Sequence, residues 1–158
     1  MKLPKEMSRA RETVTELVLE VFRLNGALLT AGDALVADIG LTSARWQVLG
    51  AIKLSPVALP VAHLARNMGL ARQSVQRLVN EMTVDGLVDQ APNQHHRRAR
   101  LVLLTGKGES AFESAMARQG RWADQLCAGL SPDGIETASL TLRQLRLRLS
   151  EGVTDERE

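Results

Sequence analysis

Apolar residues recur at helical spacing through most of the chain. Val14, Leu17, Val18, Val21, Leu24, Leu28, Leu35 and Val36 form one long stripe, which predicts a first helix from a Ser8 cap to about Asp38. Gly26 and Gly32 lower its propensity and mark where it would bend. Thr42 is placed to cap a second helix through about Leu54, with Trp46, Val48, Leu49 and Ile52 facing inward. Ser55-Pro56-Val57-Ala58-Leu59 interrupts the pattern and offers a short extended piece. Pro60 suits the first position of a short helix ending at Met68, and Gly69 supplies a turn. The next helix is expected over Ala71 to Met82, where Val75, Leu78, Val79 and Met82 share one face. Gly86 closes it. Leu87 to Gln90 and Arg100 to Leu104 then read as two strands joined by a turn over Ala91 to Ala99.

The remainder is helical again. Thr105 caps a helix to about Ala128, with Phe112, Ala115, Met116, Gln119, Trp122, Ala123, Leu126 and Leu130 along one side. Ser131-Pro132-Asp133 is a dense set of start signals for a last helix. Its Ile135, Ala138, Leu142, Leu145 and Leu149 are spaced 3, 4, 3, 4, the seam of a short coiled coil. Leu140 and Leu147 add a second row, more apolar surface than a terminal helix of one small domain needs, so part of it is expected to meet another subunit. Residues 151–158 are polar and acidic and are expected to be a disordered tail.

The middle segment carries the chemistry. Two short helices joined by a glycine turn describe a helix-turn-helix. The second would turn Arg72, Gln73, Gln76 and Arg77 outward, residues that read guanine and adenine edges in the major groove, although a solvated polar face has the same pattern. The hairpin tilts the reading, because its tip bears His95, His96, Arg97 and Arg98 beside the proposed groove-reading helix. This is a winged helix: the second helix enters the major groove, and the tip reaches a phosphate or the minor groove, where arginine is favoured.

In this order and spacing, several short pieces resemble the MarR family of winged helix-turn-helix transcriptional regulators. They are Leu41 to Leu49, His63-Leu64-Ala65 with Gly69-Leu70, Ser74 to Val79, Gly86-Leu87-Val88, and Arg97 to Thr105 with Gly108. The family usually carries Asp-x-Arg where this chain has Asn93, Gln94 and His95, leaving Arg97 or Arg98 to supply the wing cation. The resemblance implies a fold that is mainly α with a small β-hairpin, flanked by N- and C-terminal dimerisation helices. It places a single domain over 1–158, with the DNA-binding lobe at about 41–105 and dimerisation helices at about 8–38 and 106–150. It further implies a homodimer on a pseudo-palindromic operator, its recognition helices one turn of duplex apart, about 34 Å. Arg72, Gln73, Gln76 and Arg77 would approach bases, Ser74 a phosphate, and His95, Arg97 and Arg98 the wing contacts. A ligand-responsive repressor is expected, with a small aromatic or phenolic effector between dimer helices and DNA-binding lobes. Arg45 and Trp46 lie where such a pocket would form; the simpler reading makes Trp46 core and Arg45 a solvated charge.

Composition changes this picture little. Of 158 residues, 44% are apolar and 24% charged, with a net charge of +2. The excess sits where phosphate would be met: residues 61–104 hold six arginines against three acids. Only two Trp and two Phe are present, and no Tyr, which disfavours a single-strand binder built on base stacking. No nucleophile with its base, phosphate loop or metal-ligand cluster is spaced for catalysis, so neither enzyme activity nor a cofactor or metal is expected. No leader or membrane-spanning run is read, and the lone Cys127 suits a reducing cytoplasm. Its place in an apolar stripe predicts a buried, inert thiol. The competing class is a winged-helix protein-interaction module, which would not need an outward set of Arg and Gln.

Overall fold

A computed structural model describes residues 5–94, 96 and 98–152. Helix α1 spans Lys5–Val36 and runs into a 3-10 turn, Ala37–Ile39. Helix α2 is Ser43–Lys53, α3 Val61–Met68, α4 Arg72–Val84, α5 Gly106–Cys127 and α6 Pro132–Glu151. Three short strands, β1 (Leu59–Pro60), β2 (Val88–Ala91) and β3 (Leu101–Leu104), form an antiparallel sheet in the order β1-β3-β2. The extended piece expected before Pro60 is therefore the third strand of the wing sheet, with Leu59 opposite Val102. The chain divides into two compact units, Met1–Gln119 and Gly120–Glu158.

The core of the first unit is small and apolar. Val48 and Leu49 of α2, Leu64 and Ala65 of α3, Val75, Val79 and Met82 of α4, and Val102 of β3 meet there with Val36 and Ala115. The face expected on α4 is the buried one, with Leu78 at its margin. α2 is anchored on α1 by Ser43, whose N–H donates to Asp33 Oδ1 at 2.6 Å and whose hydroxyl donates to the Leu29 carbonyl at 2.8 Å. A Cβ on Gly32 would stand 2.2 Å from Ser43 Oγ, so this glycine makes room for the crossing. α1 continues through it without a break to Val36.

Some boundaries differ from the expected ones. α1 begins at Lys5, which puts Ser8 inside the helix instead of at its cap. Pro60 is the N-cap of α3, with φ −75° and ψ 158°, because it also pairs with Leu101 as the edge strand β1. An edge position tolerates proline, which has no N–H to donate to the ladder. Thr42 and Ser131 cap α2 and α6 as expected, accepting from the Arg45 and Gly134 N–H groups. Glu151 is still helical and Gly152 is its C-cap, and residues 153–158 of the expected tail lie outside the described residues.

Two surfaces are notable for what covers them. On α1, Val14, Val18, Leu19, Phe22, Leu24, Leu28 and Leu29 are exposed. In the second unit α6 has no buried residue, and Ile135, Leu140, Leu142, Leu147 and Leu149 all face outward. Cys127 is exposed as well, contrary to the expectation of a buried thiol. An apolar stripe identifies a face but not the element that covers it. Among the described residues no single helix is long and apolar enough to cross a membrane.

Candidate nucleic-acid interface

The turn between α3 and α4 is made by Gly69 at φ 66°. The Gly69 and Leu70 N–H groups bond back to the carbonyls of Arg66 and Ala65, which ends α3 and swings the chain into α4. Nothing stands within 4 Å of a Cβ placed there, so the left-handed backbone selects glycine, and space does not.

With Val75, Val79 and Met82 buried, the opposite side of α4 is solvent-facing. Arg72, Gln73, Ser74 and Arg77 are all exposed on it, and Gln76 is half-buried. Gln76 Nε2 donates to Asn80 Oδ1 at 2.9 Å. That bond occupies one of two amide hydrogens and leaves the other, with the carbonyl oxygen, for a bidentate contact to adenine. Asn80, which sequence reasoning passed over, orients this side chain; its i+4 spacing was the available signal. Arg77 Nε lies 3.7 Å from Glu81 Oε1 with its side chain 81% exposed, a weak pairing that leaves the guanidinium fork free.

The start of α4 is open. Its N-cap is Ala71, and no side chain there accepts from the first-turn N–H groups. Those donors, with the positive end of the helix dipole, are suited to an anion such as a phosphate.

The wing follows α4 in the chain, and its strand β2 packs against that helix. β2 and β3 pair from Val88 with Leu104 to Ala91 with Leu101. Asn93 Nδ2 donates to the Ala99 carbonyl at 3.0 Å and ties the base of the loop. The Arg100 guanidinium donates to the Gln90 carbonyl across the hairpin. Asn93, at the position where the resemblance led us to look for an acid, thus braces the loop through its amide. His96 and Arg98 are exposed at the tip. The expected contacts His95 and Arg97 lie outside the described residues.

Arg45 and Trp46 have other partners. Trp46 packs half-buried against the core. Arg45 is not a solvated charge: its side chain is only 21% exposed, Nη1 is 2.8 Å from Asp85 Oδ2, and Nη2 is 3.7 Å from Glu81 Oε2. Both carboxylates belong to the C-terminal end of α4, some forty residues further along the chain, so no local pattern revealed the pair.

Comparison with known proteins agrees with this geometry. A family model described as MarR family matches residues 39–99. An uncharacterised protein of Mycobacterium tuberculosis is 33% identical over 138 residues, 87% of this chain and 95% of that one. The transcriptional activatory protein BadR of Rhodopseudomonas palustris is 34% identical over 104 residues, 65% of this chain and 59% of its own. The crystal structure of CouR from Rhodococcus jostii RHA1, bound to p-coumaroyl-CoA, superposes with a TM-score of 0.72. It is 22% identical, and the match covers 82% of this chain and 90% of that one.

Proposed function

This chain belongs to the MarR family of winged-helix, DNA-binding transcription regulators, and from that premise we propose how it acts. It is a homodimeric, ligand-responsive repressor that binds a pseudo-palindromic duplex. The observation that carries the reading is the outward face of α4, where Arg72, Gln73, Ser74 and Arg77 stand clear of the core beside an uncapped helix start and a braced wing. Arg72, Gln73, Gln76 and Arg77 approach base edges, Ser74 and the first-turn N–H groups hold a phosphate, and Arg98, with His95 and Arg97, grips the backbone or minor groove.

Dimerisation is supported by the exposed apolar faces of α1 and α6. A helix such as α6, which has no buried residue, does not stand alone in water, since helices are stabilised mainly by packing an apolar face. A second copy offers the same faces, and twofold pairing is the common way to close such a surface. Repression follows from occupancy, because a dimer seated on a promoter excludes polymerase. The p-coumaroyl-CoA bound by CouR supports a small aromatic or phenolic effector here. Such a ligand would release DNA by favouring a spacing of the two α4 helices that no duplex matches. Arg45, ion-paired to Asp85, and half-buried Trp46 remain the residues at which such a pocket is proposed.

The test is binding to a duplex selected by the protein from a random pool, measured across salt. Affinity should fall steeply with salt, with a log–log slope of about −0.9 per phosphate neutralised. Arg72→Ala should cost about 1–3 kcal/mol and relax the preference at one base position. A flat salt response, with no sequence preference, would instead make the wing and α4 a protein-docking scaffold. In an in vitro transcription assay on the bound promoter, output should drop as protein is added. A rise would assign it the role named for BadR.

A further inference from the structure

The far end of α4 is held by three other residues from two elements. Arg45 of α2 reaches the Asp85 and Glu81 carboxylates. Lys107, in the first turn of α5, donates from Nζ to the Asp85 carbonyl at 2.7 Å. Thr105, just before α5, donates from its hydroxyl to the Gly86 carbonyl at 2.7 Å, and its N–H donates to the Leu87 carbonyl at 3.2 Å. The same hydroxyl accepts from the Gly108 N–H at 3.0 Å. α5 sits so close that a Cβ on Gly108 would lie 2.0 Å from the Leu87 oxygen. Lys53 Nζ of α2 meets Glu109 Oε1 of α5 at 3.0 Å, closing the ring of elements around this end.

The chemistry of the helix end explains the arrangement. The C-terminus of α4 carries the negative end of its dipole, and Glu81 and Asp85 add two carboxylates there. Left alone, these charges repel one another. Two cations, from α2 and α5, offset them and fix directions as well. The apolar contacts of Val75, Val79 and Met82 set the depth at which α4 sits but are non-directional about its axis. The bonds at its C-terminal end supply the missing angle.

We propose that Arg45, Lys107 and Thr105 form a joint that sets the tilt of α4, and that they are positioning residues for DNA recognition which do not touch DNA. The inference rests on the DNA-binding reading above. α4 has 13 residues and is about 20 Å long at about 1.5 Å per residue. A tilt of roughly 10° at the joint therefore moves Arg72, at the other end, by about 3 Å, which is enough to break a base contact whose geometry tolerates only tenths of an ångström.

Asp85→Asn and Arg45→Gln separate this from simple electrostatics, because they shift the net charge in opposite directions. Both should weaken binding to the selected duplex by roughly tenfold, and the double variant should be no worse than either single one. The salt slope should stay that of the unaltered protein, and random-sequence DNA should be bound nearly as before. Amide hydrogen exchange without DNA should quicken in α4 in both variants. Tightened operator binding by Asp85→Asn would overturn the proposal. So would an Arg45→Gln protein whose salt slope falls by one phosphate and whose affinity for random and selected DNA drops equally, since Arg45 would then contact the backbone. Lys107→Met, which keeps the aliphatic stem, carries the same expectation if Arg45→Gln does not fold. Absence of any preference for the selected duplex in the unaltered protein would sink the DNA-binding reading first, and this joint with it.

Discussion

Asp38 shows what a single side chain contributes at the edge of the core. The Arg118 guanidinium donates to Asp38 Oδ2 at 2.6 Å and holds this carboxyl below the ordinary carboxylate range, mainly through that hydrogen bond. A carboxyl lowered in the folded state stabilises it above the pKa of the unfolded chain, about 3.9 for Asp. That stability is lost as pH falls through the native value. Asp38→Asn should therefore lower the thermal midpoint slightly at neutral pH and flatten the loss of stability below about pH 4. Calorimetric scans of both proteins from pH 3 to 7 would check it; parallel curves would mean the pair is idle. Residues of this kind were the least legible in the sequence. Arg118 and Arg45 find their acids across long chain separations, and Gly32 and Gly108 are small because of neighbours that only the fold brings near. The Thr42 and Ser131 caps could be read locally, since each needs only the next three residues, whereas Ser8, read the same way, lies inside α1.

At the scale of elements, periodicity placed every helix, and the errors are at ends where tertiary contacts decide. Pro60 moved by one position because β3 recruits it into the sheet. The face of α4 was legible because four apolar residues mark it, and its opposite face then follows. The wing was legible as a hairpin, but the work of its side chains was not. Asn93 and Arg100 brace the loop from within, which leaves Arg98 exposed among the described tip residues. If Arg98 meets a phosphate, Arg98→Ala should weaken binding about equally for all sequences and reduce the salt slope by about one. A change in preference at particular A·T steps with an unchanged slope would instead place it in the minor groove. Fluorescence anisotropy titrations on a panel of duplexes distinguish the two.

For the whole molecule, the apolar residues outnumber those that one chain buries. Phe22 is 69% exposed and Leu149 73%, while every member of the buried cluster lies between Val36 and Ala115. The spacing of Leu142, Leu145 and Leu149 advertised a seam, and the exposure of Leu142 and Leu149 among the described residues is the physical counterpart of that signal. Replacing Leu142 and Leu149 by Glu should leave the 36–115 core intact and shift the protein to monomers in sedimentation equilibrium. Operator affinity should then fall by about a hundredfold or more, because the second site no longer binds at the high effective concentration set by the first. Monomeric unaltered protein at micromolar concentration, or a dimer untouched by both substitutions, would remove this face from the assembly.

The bare start of α4 has a consequence for engineering. Ala71 already has the extended backbone of an N-cap, φ −65° and ψ 134°, so Ala71→Asp would place a carboxylate to accept from a first-turn N–H without strain. The free protein should gain about 0.5–2 kcal/mol, seen as a higher melting temperature. If that helix start holds a phosphate, as proposed above, the new carboxylate would repel it, and duplex affinity should fall as the melting temperature rises. On that proposal a single alanine sets robustness against recognition, and one substitution would exchange the second for the first.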